Sequence, residues 1–250
     1  MALCASLATA ADGVCRGETP LTYLRDYAPG HFEDEAFFKA IAAGPPELLV
    51  LGKDAPLHHN WGPVAGNGGE NQAFGQGDAI RRLSPAELRE KMERIRNMVT
   101  RLRASGVRWI MPYACTMTVG GDPARRTGLW EFYDHWDDYV AFGLGPRPAQ
   151  DPLDWMQRTA NGEVRFYYPP DSPRYAPNRR WAACIHHPGW RQHLGNVIRL
   201  AAEVSYDGVY LDNNRSTRCY CSDCQAAFRR YVAARLTPDE IRRDLGVRSL

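Results

Sequence analysis

The chain has 250 residues, room for one large domain or two small ones, and its 44% hydrophobic and 24% charged residues are an ordinary soluble balance. Its 31 basic and 29 acidic residues leave a formal net charge of +2, which gives no electrostatic reason to expect nucleic acid or an anionic membrane as a partner. No apolar run approaches the roughly 20 residues that span a bilayer, and twelve Tyr with seven Trp suit either sugar faces or a packed core.

Residues 1–10 are small and apolar and end in Ala8-Thr9-Ala10, the small-residue pattern of a leader cleavage site, but they lack a basic start and a longer apolar stretch. Two readings follow: an incomplete secretory leader on a secreted or periplasmic protein, or plain cytoplasmic sequence. Residues 1–44 are read as an N-terminal segment with a short helix over 33–43, closed by Gly44-Pro45-Pro46. Residues 47–52 (ELLVLG) are a short apolar run, read as a buried strand. The Gly- and Asn-rich residues 53–80 form a long loop at its C-terminal end and carry Asp54, His58, His59 and Trp61.

Ser84-Pro85-Ala86-Glu87 is a capping box with Pro at the first helical position. Leu88, Met92, Ile95, Val99 and Leu102 follow at helical spacing, and Gly106 stops the helix. Residues 107–113 are the second strand. An insertion over about 115–180 is read as helices at 129–142 and 152–159, a short hairpin strand at 164–168 and a Pro-rich loop at 169–177. Residues 181–186 are read as the third strand, and Trp190, Leu194, Val197, Ile198 and Ala201 mark the helix after it. Residues 207–212 (DGVYLD) are the fourth strand, followed by a helix at 223–235 and a last one begun by the capping box Thr237-Pro238-Asp239-Glu240 and ended near Gly246.

Strand–helix alternation argues for an α/β fold with a parallel sheet. No Gly-x-Gly-x-x-Gly follows any strand, so a dinucleotide fold has no support. Long loops after the strands fit a (β/α)8 TIM-type barrel, of which residues 45–250 would supply only the N-terminal four strand–helix units plus the insertion. Half a barrel leaves unpaired sheet edges near the first or fourth strand, and so leaves room for homo-oligomers.

Of the seven cysteines, Cys219, Cys221 and Cys224 stand in Cys-x-Cys-x-x-Cys, while Cys4, Cys15 and Cys115 are scattered. Three soft thiolates at short spacing suit tetrahedral zinc. The fourth ligand must come from elsewhere. Cys184, on the strand read as the neighbour of 207–212, is the first candidate, with Cys115, His186 and His187 as alternatives. Four protein ligands would make the metal structural rather than catalytic.

Asp212 ends an apolar strand, ahead of Asn213 and Asn214. In a barrel such a carboxylate faces the site, where it can act as nucleophile or acid/base on a glycosidic bond with the amides orienting hydroxyls; capping a turn is the other reading. His58, His59 and Trp61 could line the same mouth, and His186 and His187 could approach it. Glu131, Asp134 and His135 share a helix with Trp130 and Trp136, a face that could hold sugar hydroxyls or simply balance a helix start.

Residues 206–232, YDGVYLDNNRSTRCYCSDCQAAFRRYV, resemble the fourth strand and following loop of family 42 β-galactosidases, in which Asp-Asn-Glu precedes Cys-x-Cys-x-x-Cys and an aromatic-rich helix. Residues 179–191, RRWAACIHHPGWR, are similar to the segment that carries that family's remaining zinc cysteine. The resemblance implies Cys184 as the fourth ligand. It also implies an acid/base Glu where this chain has Asn214, and an amide cannot donate a proton as a carboxylic acid does. The Asp-Gly-x-x-x-Asp strand with its Cys cluster resembles more closely the barrels called hypothetical glycosyl hydrolase family 6, and the phrase RTGLWEFYDHW at 126–136 is similar to such proteins. By the likeness to α-L-fucosidase-type barrels, the Asp ending the fourth strand would be the nucleophile. The resemblance covers about residues 179–235 and implies a hydrolase acting on carbohydrate; its alternative is a carbohydrate-binding barrel that has lost catalysis.

Overall fold

The computed structural model describes residues 21–26, 31–52, 54–65, 81–172, 178–214 and 218–247. Cys4, Cys15 and the leader-like residues 1–10 lie outside the described residues, as do residues 66–80 of the loop at 53–80.

In chain order the elements are β1 (Tyr23–Asp26), α1 (Glu35–Ala43), β2 (Leu48–Leu51), the short pair β3 (Val64–Ala65) and β4 (Arg81–Arg82), α2 (Pro85–Ala104), β5 (Trp109–Cys115), β6 (Thr118–Asp122), β7 (Thr127–Gly128), α3 (Leu129–Asp134), β8 (Arg179–Ala182), α4 (Pro188–Glu203), β9 (Tyr210–Asp212), α5 (Ser222–Ala233) and α6 (Pro238–Leu245). The fold is mixed α/β. Its main sheet has four strands in the order β1-β2-β5-β9, every pair parallel.

Two helices start where their capping boxes place them. The Ser84 hydroxyl accepts from the Glu87 amide while Glu87 reaches back to the Ser84 amide at 2.8 Å, and Thr237 and Glu240 repeat the arrangement. Gly106, at φ +99°, ends the turn after α2. Within β5, Ile110 and Ala114 are buried while Trp109, Met111 and Tyr113 are half-buried. The buried set joins Leu49 and Leu51 of β2 and Leu88, Met92, Ile95, Val99 and Leu102 of α2 in one core. The alternation is that of a strand covered by helices on one face only. Asp207 ties the start of the β9 segment to its neighbour: its carboxylate accepts from the Ile110 amide at 2.8 Å and from Arg103 at 2.7 Å.

Three sequence expectations need correction. First, Tyr23–Asp26, inside the segment read as mixed, is a strand; YLRD has no apolar run, and its state comes from pairing with β2, Tyr23 opposite Leu48. Second, residues 181–186 are not a parallel strand between 107–113 and 207–212. β9 pairs directly with β5, Tyr113 opposite Tyr210, so that place is filled. The chain at 179–182 instead runs antiparallel to β6 in a second sheet, β7-β6-β8. A short apolar run reveals neither its partner nor its direction. Third, residues 129–142 are not one helix, since α3 gives way after His135 to a 3-10 stretch, and in 152–159 only Pro152–Trp155 is helical. Four strand–helix units therefore remain, but they are β1–α1, β2–α2, β5–α4 and β9–α5, with the insertion lying between β5 and α4. A closed barrel is absent among the described residues.

The sheet is rolled. Arg25 of β1 donates to the Tyr210 hydroxyl of β9 at 3.2 Å, and its guanidinium lies 5.8 Å from that ring's centroid. Two strands separate β1 from β9, and strands spaced about 4.8 Å apart in a flat sheet would hold these side chains apart. Both outer strands keep apolar side chains exposed, Leu24 at 41% and Leu211 at 50%. No helix among the described residues is long and apolar enough to cross a membrane.

The insertion packs on the same core through Trp130, Trp136, Trp155 and Trp181. Trp61 joins it to the loop after β2, its ring seated where side chains at Gly120 and Gly128 would stand; a Cβ at Gly128 would lie 2.4 Å from the Gly120 carbonyl oxygen and 2.5 Å from the Trp61 ring. Gly128 also has φ +67°. Gly128→Ala is expected to destabilise the chain by more than about 3 kcal/mol, overpacking and backbone strain together. Ser84→Ala, which removes one cap, should cost about 1 kcal/mol. Chemical denaturation of the two variants checks the order.

Candidate active site and metal centre

The C-terminal ends of β2, β5 and β9 lie side by side, and the polar residues of interest leave from them. β5 ends with Tyr113 and Cys115, and β9 with Asp212, placed opposite Cys115. Asp212 is held on both oxygens: Oδ2 accepts from the Tyr113 hydroxyl at 2.8 Å and Oδ1 from the Asn213 amide at 2.7 Å. Asn213 sits at φ +49°, in the left-handed region that Asn tolerates better than most side-chain-bearing residues. That turn sends its amide group back under the strand end, where Nδ2 donates to the Tyr113 hydroxyl at 2.8 Å and to Cys115 Sγ at 2.9 Å. Its Oδ1 accepts from the Tyr167 hydroxyl at 3.1 Å. Burial, with Cys115 and Asp212 close by, pushes the Tyr113 phenol well up, so it stays a donor to Asp212.

His59 meets the same group edge-on, its ring centroid 5.6 Å from that of Tyr113, and His58 stacks behind it at 4.2 Å. Both are buried, unlike solvated loop residues. The loop that carries them is closed by two backbone bonds of 2.8 Å between His58 and Gly62, and is anchored by His193 of α4, whose Nε2 lies 2.9 Å from the His59 carbonyl oxygen. The sequence candidates thus separate. Asp212, Asn213 and His59 converge. Asn214 turns away and lines a cavity of about 130 Å³ beside the cysteines, with His186. Trp61 is buried against the two glycines. Trp130 and Trp136 belong to the core, and Asp134 is bound to Arg126 at 2.9 Å, so that helix face looks inward or into an ion pair. Sequence reasoning passed over Tyr113 and Tyr167, and weighed Cys115 only as a zinc ligand. Tyr113 was legible as the last residue of a predicted strand, which continues to Cys115; nothing local to Tyr167 marked it.

The sulfur atoms of Cys184, Cys219, Cys221 and Cys224 lie within 4.8 Å of one another, close enough to hold a metal ion. Cys184 Sγ is 3.5 Å from that of Cys221 and 3.4 Å from that of Cys224. Tetrahedral thiolates about 2.3 Å from a zinc would stand about 3.8 Å apart, so the donor set fits such an ion with small adjustments. Cys184 arrives beyond the antiparallel β8, not from a parallel neighbour of β9, and its amide is tied to the Trp155 carbonyl at 2.8 Å. Cys221 caps α5. The Arg158 amide faces Cys219 Sγ at 3.5 Å and the Arg158 carbonyl accepts from the Tyr220 amide at 3.0 Å. Two of the alternatives are engaged elsewhere, Cys115 beside Asn213 and His187 as the cap of α4, accepting from the Gly189 amide, while His186 lies beside the cluster but outside the four-sulfur group. The Cys184 thiol directed at Cys219, helped by the amides of Cys221 and Arg158, pulls Cys219 down to about 4, while burial lifts Cys224 to about 12. Without a cation the cluster thus favours one thiolate among neutral thiols; four thiolates need a bound positive ion.

No protein-family model matches the chain, and no curated protein does. Among solved structures it is similar to a Paenibacillus sp. cycloisomaltooligosaccharide glucanotransferase complexed with cycloisomaltoheptaose, at 12% identity and a TM-score of 0.43, over 78% of this chain and 23% of that one. It is also similar to AmyB, a noncanonic maltogenic alpha-amylase from Thermotoga neapolitana, at 12% identity and a TM-score of 0.42, over 86% of this chain and 43% of that one. The chain therefore spans less than half the length of either. The functional reading rests on its own residues.

Burial holds the His193 imidazole down to about 4 from 6.5. The folded state thus resists a proton that the unfolded state accepts. Stability is fully present above pH 6.5 and falls as the pH drops from 6.5 to 4, by about 3 kcal/mol in all. His193→Gln should flatten that limb of the stability curve, measured by urea denaturation between pH 7 and 4.

Proposed function

We propose that this chain is half of a (β/α)8 barrel of glycoside hydrolase type, acting on carbohydrate, with a structural zinc held by Cys184, Cys219, Cys221 and Cys224. The observation that carries the reading is the placement of Asp212: a carboxylate at the C-terminal end of a parallel strand, oriented by the Tyr113 hydroxyl and the Asn213 amide. Residues at such strand ends are where (β/α) barrels keep their chemistry. The resemblance of residues 179–235 to glycoside hydrolase barrels supports the same reading, and four strand–helix units in sequential order support the half-barrel.

In this reading Asp212 supplies the charge, as nucleophile or as acid/base. Tyr113 fixes its rotamer from one side and Asn213 from the other. His59, backed by His58 and anchored by His193, forms the wall beside Tyr113 and offers a ring to a substrate hydroxyl. Tyr167 extends the same polar patch from the insertion. The zinc supplies folding energy, pinning the start of α5 and the 155–158 turn together, and takes no part in bond cleavage. A second reading, a carbohydrate-binding barrel without catalysis, is favoured by Asn214, which stands where family 42 enzymes have their acid/base Glu.

Asp212→Asn keeps the shape and removes the charge. Hydrolysis of aryl glycosides should fall at least tenfold, about 1.4 kcal/mol of transition-state stabilisation; a smaller fall means that Asp212 is not the catalytic carboxylate. Oligosaccharide binding by calorimetry in a protein that cleaves no glycoside would decide for the second reading. Elemental analysis should find about one zinc per chain, with sulfur ligation by X-ray absorption, and Cys221→Ser should lose the metal and more than about 3 kcal/mol of stability.

A further inference from the structure

The cavity of about 130 Å³ beside the cysteines leads inward to the sulfur cluster. Among the described residues its rim is Ile185, His186 and Asn214, all exposed, and its floor is Met117, Gln157 and Cys184, all buried. Cys219 and Cys224, both half-buried, stand in its wall. Three of the four cysteines that would hold the metal therefore face this space, and Cys221 is the one that does not line it. A water needs only roughly 10–15 Å³ of such space, so a molecule of two oxygen atoms fits with room to turn.

The two sulfurs nearest each other in this wall come from distant segments. Cys184 lies beyond β8, with its amide tied to the Trp155 carbonyl at 2.8 Å, and Cys224 lies in the first turn of α5. Their sulfur atoms are 3.4 Å apart. A disulfide bond of about 2.05 Å asks them to close by only about 1.4 Å. Cys221 is comparably near Cys184, at 3.5 Å, but is buried away from the cavity. Cys219 reaches the cavity, but its sulfur faces the Arg158 amide at 3.5 Å, a contact that draws electron density from a thiolate and blunts its attack.

We infer that Cys184 and Cys224 are an oxidative modification site: a small hydroperoxide entering the cavity converts the pair to a disulfide and expels the metal. The inference rests on the metal reading of the cluster and not on the carbohydrate reading. The Cys224 thiolate, in the cavity wall, attacks one oxygen of hydrogen peroxide. The O–O bond breaks, hydroxide leaves, and Cys224 becomes a sulfenic acid. The Cys184 thiolate behind it then attacks the Cys224 sulfur. The S–S bond forms, the S–O bond breaks, and a second hydroxide leaves. Two electrons pass from the two sulfurs to the peroxide oxygens, and both hydroxides take up protons from solvent. Cys219 and Cys221 are then the only thiolate donors left, and two donors cannot satisfy a tetrahedral ion that takes four. A dithiol reductant reverses the change, its own sulfurs becoming the disulfide.

The effect is local. None of the four cysteines belongs to the main apolar core, so the sheet and α2 do not depend on the cluster. What loses an anchor is the chain around Cys219, seven residues beyond Asp212. Without the metal it keeps the bond from the Tyr220 amide to the Arg158 carbonyl at 3.0 Å and that from Arg165 to the Arg218 carbonyl at 3.2 Å. The new disulfide meanwhile keeps the start of α5 beside the insertion.

Hydrogen peroxide titrated onto the whole metal-loaded chain, with a chromogenic zinc chelator present, tests the inference. Zinc release should rise in step with a Cys184–Cys224 linked peptide, found by alkylating the remaining thiols and mapping the unreduced digest by mass spectrometry. Dithiothreitol with added zinc should restore the loaded form. His186→Trp narrows the cavity without touching a sulfur, so it should slow release at least about fivefold at unchanged metal content. Zinc retained while Met117 oxidises, zinc released with Cys184 and Cys224 both still alkylated, or a disulfide between any other pair of the four overturns the inference and leaves the metal reading standing. A reduced chain that binds no metal removes both together.

Discussion

Strand β5 is the member on which the rest of this structure depends. Its first half pairs with β2, Leu48 opposite Trp109, and its second half with β9, Tyr113 opposite Tyr210. One face of the strand gives Ile110 and Ala114 to the core beneath α2, and the other gives Trp109, Met111 and Tyr113 to the concave side of the sheet. The same residues that satisfy the backbone therefore divide helix core from site. Because β5 continues to Cys115 past the end of β2, it carries Tyr113 and Cys115 level with Asp212, and the hydrogen-bonded group at the strand ends follows from that overlap.

Around that group the chain accepts local strain to hold a carboxylate still. Asn213 takes a left-handed backbone so that its side chain can bond Tyr113 and Cys115 beneath the strand end. The Tyr113 hydroxyl accepts from Asn213 and donates to Asp212, a short chain of bonds whose members orient one another. The histidine wall depends in turn on α4, through His193. Neutral imidazole buried among apolar side chains is a stable anchor near neutral pH and a weak one in acid.

The long insertion serves the site from the opposite side. It packs four tryptophans into the common core, receives Trp61 between two glycines, and then delivers Cys184 and the Arg158 turn to the Cys-x-Cys-x-x-Cys segment. A metal at that point would join the insertion to the loop that leaves Asp212. The sulfur cluster lies at the start of α5, with Cys221 as its N-cap residue and Cys224 in its first turn.

The sequence alone determined the local features whose causes are local. The capping boxes at Ser84 and Thr237, the helical stripe from Leu88 to Leu102, the strand at 47–52 and the three-cysteine motif all depend on residues within a few positions of one another. It also supplied Asp212 and Cys184 as candidates, from position and from resemblance. Only the tertiary structure decided what depends on pairing. YLRD became a strand because β2 offers it an edge; the residues around Trp181 joined an antiparallel sheet because β9 already filled the place beside β5; Asn213 and Asn214, adjacent in sequence, parted to opposite sides because one residue took a left-handed turn. Strand partners and side-chain convergence are set by contacts between distant segments, here Tyr113 with Asp212 and Cys184 with Cys221, and no window along the chain contains both ends of such a contact.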